Sequence, residues 1–133
     1  MIEQKDVIAF FDERAGEWDA GMVRSDEKIG CILDNAKVTA GSRVLDIACG
    51  TGVLIGDYLR RNVESVTAVD ISPEMIRIAR KKFPQENVRF VCGDAETAPL
   101  GEGFDAIVIY NAFPHFPDPE RLVARLAALL APG

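Results

Sequence analysis

The chain has 133 residues, of which 48% are hydrophobic and 27% are charged, and its net charge is -6 with a pI near 4.8. This length suits one globular domain, and the balance of apolar and charged residues excludes an intrinsically disordered chain. An acidic surface repels phosphate backbones, which argues against nucleic acid as a partner. Since no apolar run reaches the roughly 18 residues that span a bilayer and the N-terminus lacks a signal-peptide core, we expect a cytoplasmic protein.

The first forty residues are predicted to be helical. Residues Ile2–Arg14 have the apolar content of a short helix, and Ser25 is a suitable N-cap for a second helix. Apolar residues then recur at the i, i+3, i+4, i+7 spacing of a buried helix face. We therefore assign residues 1–40 to an N-terminal helical segment and residues 41–133 to a core, which together form one domain. The apolar positions of the second helix are Ile29, Ile32, Leu33 and Ala36.

Four predicted strands follow, each rich in apolar or β-branched residues and closed by polar or small residues. Strands that alternate with helices imply right-handed crossovers and a parallel sheet with helices on both faces. We therefore predict an α/β, doubly wound, Rossmann-like sheet with the strand order 3-2-1-4. The predicted strands are Arg43–Ile47, Ser65–Val69, Val88–Cys92 and Phe104–Tyr110.

Three predicted helices connect or follow these strands. The first runs from about Val53 to Arg61, directly after a glycine turn. The second begins at Ser72-Pro73, an N-cap followed by a proline at the first helical position, and ends at Phe83. The third begins at Asp118-Pro119. Its predicted apolar face consists of Leu122, Leu126, Leu129 and Leu130.

The fourth predicted strand, FDAIVIY, is apolar along most of its length, which is typical of an interior strand. In the order 3-2-1-4 it lies at an edge of the sheet, where exposed backbone groups invite aggregation. We therefore expect that the chain is a fragment of a longer protein or that a second copy covers this edge in a homodimer.

The segment VLDIACGTG, residues 44–52, indicates a buried strand that breaks into a tight loop before a helix. Gly50 and Gly52 allow positive φ angles and the close approach of a ligand. A strand, a glycine turn and a helix N-terminus together form a cradle for a nucleotide.

Polar side chains lie at the end of every predicted strand, where the carboxyl ends of parallel strands meet in one crevice. Asp46 lies at the first strand and Asp70 at the second, where a carboxylate can accept hydrogen bonds from ribose hydroxyls. Asp94, followed by Ala95, can meet the edge of a base, and Asn111 follows the fourth strand. Four such residues in order predict a nucleoside-binding site.

The type of nucleotide follows from the loop. The dinucleotide fingerprint G-x-G-x-x-G would need a glycine where Ile55 stands, and Gly56 comes one residue late. Asp46 repels a pyrophosphate but attracts a cation. These features favour a nucleoside with a positive charge, such as S-adenosylmethionine (SAM). An NAD(P)-dependent Rossmann dehydrogenase and a non-catalytic SAM-binding fragment stay open as alternatives.

The sequence resembles the class I SAM-dependent methyltransferases, especially the branch that contains the ubiquinone and menaquinone biosynthesis enzymes. The first motif of that family, (D/E)-x-G-x-G-x-G, is matched by Asp46–Gly52, with Ala48 in place of the first glycine. The segment FDERAGEWD, residues 11–19, is similar to the family's lid segment, so residues 1–40 correspond to a helical lid. The family fold has three further strands that this sequence lacks.

The resemblance implies a methyltransferase that uses SAM, releases S-adenosylhomocysteine and acts on a small-molecule acceptor. It implies that Asp46 organises the loop and the methionine amino group, that Asp70 binds the ribose, and that Asp94 accepts a hydrogen bond from adenine. Asn111 corresponds to a position beside the methionine moiety. The implied cofactor contacts are Asp46, Ala48, Gly50, Thr51, Gly52, Asp70, Ile71, Met75, Asp94, Ala95 and Asn111.

Methyl transfer from a sulfonium depends mainly on alignment, and a general base is needed only where the acceptor must lose a proton. His115, the single histidine, follows the fourth strand and is the candidate for such a base, although it also suits a turn between two prolines.

No metal site is predicted, because the three cysteines form no CxxC pair and only one histidine is present. We expect Cys31, Cys49 and Cys92 to be reduced thiols that pack as small apolar side chains.

Overall fold

The computed structural model describes residues 25–109 and 118–131, together with Ile8, Ala9, Glu13 and Ala15. Ile8, Ala9 and Glu13 are helical, as the predicted N-terminal helix requires at those positions. The remainder of that helix, most of the segment similar to a lid, Asn111 and His115 lie outside the described residues.

The described strands are β1 (Arg43–Ile47), β2 (Ser65–Asp70), β3 (Val88–Cys92) and β4 (Ala106–Ile109). They form one parallel sheet with the order β3-β2-β1-β4, which confirms the predicted topology. β1 is one of the two interior strands, and its last residue, Ile47, lies opposite Val69 on one side and Ile109 on the other. The carboxyl ends of β1 and β4 therefore flank the point where the strand order reverses.

The described helices are α1 (Asp26–Asn35), α2 (Ile55–Arg60), α3 (Pro73–Lys82) and α4 (Pro119–Leu129). Three of them begin at the predicted N-caps, whose side-chain oxygens accept hydrogen bonds from backbone amides of the first turn. Ser25 accepts from the amide of Lys28 at 3.3 Å and Ser72 from that of Met75 at 3.2 Å. Asp118 accepts from the amide of Arg121 at 3.1 Å.

The helix predicted to begin near Val53 is shorter than expected, because α2 begins only at Ile55. Turns occupy the preceding residues: the Gly52 amide donates to the Cys49 carbonyl at 3.0 Å, and the Ile55 amide donates to the Gly52 carbonyl at 3.2 Å. Leu54 at the N-cap has no polar side-chain atom that could accept a hydrogen bond from the first amides of the helix. The glycine loop is therefore longer than the sequence pattern indicated.

The other differences also lie at element ends. β2 continues through Asp70, one residue beyond its predicted end. Phe104 does not belong to β4 but forms an isolated bridge with Leu130, because the backbone after α4 turns to an extended conformation and runs beside it. Leu130 is 45% exposed and so does not belong to the apolar face predicted for the last helix.

Each face of the sheet has its own hydrophobic core, as a doubly wound fold requires. On one face, α1, α2 and α3 contribute residues such as Ile29, Tyr58 and Ile76, which pack against alternate strand residues. On the other face, α4 contributes Leu122 and Leu126, which pack with the remaining strand residues and with the segment that follows β3. The loops at the carboxyl ends of the strands lie between these two fixed layers.

The prediction of three packed thiols is wrong for two of the cysteines. Cys49 is buried, whereas Cys31 lies on the solvent side of α1 and Cys92 ends β3 at the edge of the sheet, and both are exposed. In the described part of the chain, His, Cys, Asp and Glu side chains do not group into a potential metal site. Within the same residues, no helix combines the length and apolar character needed to cross a bilayer.

Candidate cofactor-binding site

The loop after β1 departs from ordinary backbone geometry at three positions. Ala48, Gly50 and Gly52 have φ angles of 57°, 58° and 91°. The Cys49 amide donates to the Val69 carbonyl of β2 at 3.0 Å, which ties the loop to the neighbouring strand. The loop thus has a fixed, left-handed backbone at alternate residues.

Gly52 is required by packing as well as by its φ angle. A Cβ atom at this position would lie 2.9 Å from Cε2 of Phe83 and 3.2 Å from Cδ1 of Ile55. Phe83 follows α3, so the glycine lets the end of that helix pack closely against the loop. The close approach that the structure describes at Gly52 is therefore that of the Phe83 side chain, and the approach of a ligand stays a prediction.

Ala48 carries a strain that glycine would relieve. A left-handed conformation costs an L-residue with a Cβ about 1–2 kcal/mol, part of which the greater chain entropy of glycine offsets. We expect Ala48→Gly to raise the free energy of unfolding by up to about 1 kcal/mol in urea titrations. Ala128→Gly, on an exposed turn of α4, is the control and should lower it by about 1 kcal/mol. A loss of stability in Ala48→Gly would contradict the assignment of strain.

Asp70 joins the glycine loop to the start of α3. Its Oδ2 atom accepts a hydrogen bond from the Gly50 amide at 2.9 Å, and its Oδ1 atom accepts one from the Ser72 amide at 2.9 Å. The residue is only 8% exposed. Since each carboxylate oxygen has a second lone pair, Asp70 can hold the loop and still accept hydrogen bonds from a ligand.

A second carboxylate, Asp46, lies in the interior beneath the loop and is 2% exposed. Burial raises the pKa of Asp46 to about 8; the nearby Tyr58 hydroxyl lowers it and the charge of Asp70 raises it further. Within the described residues, the Tyr58 hydroxyl is buried without a hydrogen bond of acceptable geometry. Its influence on Asp46 is therefore that of a nearby dipole rather than of a formed hydrogen bond.

Two other groups near Asp46, the Cys49 thiol and the Tyr58 hydroxyl, are held in their neutral forms. Burial raises the pKa of the Cys49 thiol and that of the Tyr58 hydroxyl well above their usual ranges, and Asp46 raises both further. Cys49 is thus a protonated thiol rather than a nucleophile. Among the described side chains, no cation pairs with Asp46, and a buried carboxyl group in this setting stays neutral until a cation approaches.

The loop after β3 forms a tight turn. The Asp94 carboxylate accepts a hydrogen bond from the Glu96 amide at 2.9 Å, and its carbonyl accepts one from the Ala98 amide at 2.8 Å. The Gly93 amide donates to the Asp70 carbonyl at 2.9 Å, so the loops after β2 and β3 are neighbours. Ala95 in this turn is buried.

The predicted contact residues that the structure describes lie at the carboxyl ends of β1 and β2 or in the segments that follow β1, β2 and β3. Asn111 lies outside the described residues. Thr51 and Met75 are fully buried, whereas Ile71 and Asp94 are half-buried. Sequence reasoning missed Tyr58 and Phe83. The signal for Tyr58 was a phenol among the apolar residues of a short helix directly after the loop. Phe83 was noted only as a helix end, and no pattern connects it with Gly52.

Residues 44–133 match the protein family described as the methyltransferase domain. A malonyl-[acyl-carrier protein] O-methyltransferase from Acetivibrio thermocellus is 35% identical over 121 residues, which cover 89% of this chain and 43% of that protein. A ubiquinone biosynthesis O-methyltransferase from Coxiella burnetii is 30% identical over 138 residues, which cover 97% of this chain and 58% of that protein. The chain thus spans about half the length of these curated relatives.

Among solved structures, the DhpI-SAM-HEP complex has a similar fold, with a TM-score of 0.77 and 27% sequence identity. The similarity covers 97% of this chain and 61% of that chain. This coverage includes the whole parallel sheet described above. The family resemblance that the motif of residues 46–52 suggested is therefore confirmed by sequence and by fold.

Proposed function

Because this chain belongs to the methyltransferase domain family, we propose that it binds SAM and forms the cofactor-binding part of a methyltransferase. The observation that carries this proposal is the buried Asp46 carboxyl group, which lies beneath the glycine loop and, within the described residues, has no cationic partner. A ligand that brings a positive charge to this position stabilises the ionised carboxylate, whereas a phosphate would keep the carboxyl group protonated and gain no ionic attraction from it. This electrostatic preference supports SAM over NAD.

The remaining contacts are proposed from the positions of the strand ends. Asp70 accepts the hydroxyls of the ribose while it holds the loop through Gly50. Ile71 packs on the adenine, and Asp94 accepts from its exocyclic amine, with the Ala95 backbone beside the ring. Ala48, Thr51 and Gly52 shape the loop, Met75 supports the site from α3, and Asn111 lies beside the methionine moiety.

When bound, SAM supplies an electrophilic methyl group and a neutral thioether as leaving group. The chain's own residues then have to align the sulfonium with the acceptor and exclude water, and such alignment can contribute roughly 7–11 kcal/mol to catalysis. The neutral Cys49 and Tyr58 offer no competing nucleophile. His115 is the proposed base for an acceptor that must lose a proton.

We further propose an oxygen atom as the methyl acceptor, since both relatives described above are named O-methyltransferases. That the acceptor is a small molecule stays a prediction. Residues 1–40 are proposed to act as a lid over this acceptor, and residues 41–133 to be the cofactor-binding core. A homodimer through the outer edge of β4 stays a prediction.

Calorimetry with S-adenosylhomocysteine and with NAD tests the function. We expect S-adenosylhomocysteine to bind and NAD not to bind, because the glycine loop lies above the Asp46 carboxyl group and pyrophosphate would place negative charge there. Adenosine serves as a control, since it shares the ribose and the base but lacks the homocysteine part with its α-amino group. Binding of NAD without binding of S-adenosylhomocysteine would contradict the proposal.

A further inference from the structure

Two arginines of α4 fasten the loop that follows β3. Arg125 donates hydrogen bonds to the carbonyl oxygens of Ala95 and Ala98, the latter at 2.6 Å from Nη2. One turn earlier, Nη2 of Arg121 contacts Oε2 of Glu96 at 2.5 Å. The loop from Asp94 to Ala98 is therefore bound at three successive points to a helix that lies more than twenty residues later in the sequence.

The two hydrogen bonds of Arg125 satisfy carbonyl groups of two buried residues in the loop. Ala95 and Ala98 are 5% and 8% exposed, and buried carbonyl groups need donors. The planar guanidinium can donate to both carbonyls at once, whereas a lysine ammonium lacks this fork geometry. Arg125 is half-buried, while the Arg121 side chain is 66% exposed and its ion pair contributes little by comparison.

We propose that Arg125 is a positioning residue that sets the specificity of the site for adenine. It fixes the turn in which the Asp94 carboxylate accepts from the Glu96 amide at 2.9 Å, and this turn determines where that carboxylate lies. The inference rests on the proposed function, because Asp94 must read the exocyclic amine of adenine for the position of the turn to matter. In this proposal Arg125 acts through the turn and not through a contact of its own with the cofactor.

The experiment compares two probes, S-adenosylhomocysteine and its analogue in which the exocyclic amine is replaced by oxygen. We expect Arg125→Met to weaken binding of S-adenosylhomocysteine about tenfold, with a much smaller effect on the analogue, so that the preference for adenine narrows. Arg125→Lys should restore part of the preference. Arg77→Met is the matched control, because Arg77 pairs with Glu74 within its own helix at 3.0 Å. It should leave both affinities unchanged.

A purely structural role would lower the affinity for both probes equally, so an unchanged preference in folded Arg125→Met overturns the proposal. If the wild type binds neither probe, the proposed function fails. Hydrogen exchange of the amides of residues 95–98 then tests by itself whether Arg125 fixes the turn. Faster exchange in Arg125→Met than in Arg77→Met supports this positioning role, and equal exchange overturns it.

Discussion

Replacing Asp46 with asparagine is expected to remove most of the dependence of stability on pH. In the folded protein Asp46 keeps its proton up to about pH 8, whereas in the unfolded chain it ionises near its ordinary pKa of 3.8. The folded state therefore binds more protons between these values, and the free energy of unfolding falls as the pH rises towards 8. Between pH 5 and pH 8.5 we expect a loss of roughly 4 kcal/mol in the wild type and little in Asp46→Asn.

Urea unfolding at a series of pH values measures this difference, and the variant should be the more stable protein above pH 8. Asp34→Asn is the control, because its side chain is 72% exposed in an ion pair with Arg61, and its pH profile should follow that of the wild type. If Asp46→Asn retains the wild-type slope, another group is responsible for it.

The Asp46 carboxyl group is also expected to couple cofactor binding to the release of a proton. A cofactor that brings its amino group to Asp46 favours the ionised form, so binding at pH 7 releases a proton. Calorimetry in two buffers with different ionisation enthalpies reports this release directly. The wild type should release up to about one proton per S-adenosylhomocysteine, and Asp46→Asn, which we expect to bind more weakly, should release none.

The sheet was predictable from the sequence because its signals are local. Apolar runs set β1 and β3, and the capping residues Ser25 and Ser72 set the helix starts. The strand order followed from the handedness of the crossovers. The apolar runs and the capping residues lie within a few residues of the features that they determine, and the handedness rule applies to any crossover between parallel strands.

The details of the site were not predictable in this way, because they depend on contacts between distant residues. Nothing in the pattern around Arg125 indicates that it donates to Ala95, thirty residues away. The pKa of Asp46 depends on its burial and on Tyr58, which become neighbours only when α2 packs on the sheet. Sequence reasoning therefore identified the acidic residues, but not the contacts that position them or their protonation states.

Asp70→Ala is expected to have two separable effects. The substitution leaves the Gly50 and Ser72 amides without their shared acceptor, and the loss of hydrogen bonds to a charged group should lower the free energy of unfolding by about 2–4 kcal/mol. It should also weaken S-adenosylhomocysteine binding by roughly a hundredfold, because the proposed ribose acceptor is lost. Chemical denaturation and calorimetry measure the two effects independently.

Asp105→Ala is the matched control, since Asp105 Oδ2 also accepts from a backbone amide, that of Arg43 at 2.8 Å, at the opposite end of the sheet. It should cost about 1 kcal/mol of stability and leave the affinity unchanged. A 2′-deoxy analogue of S-adenosylhomocysteine isolates the ribose contact. The wild type should bind this analogue more weakly than S-adenosylhomocysteine, whereas Asp70→Ala should bind the two ligands with equal affinity. An equal penalty in both proteins would mean that Asp70 only holds the glycine loop, and another group would then have to bind the ribose.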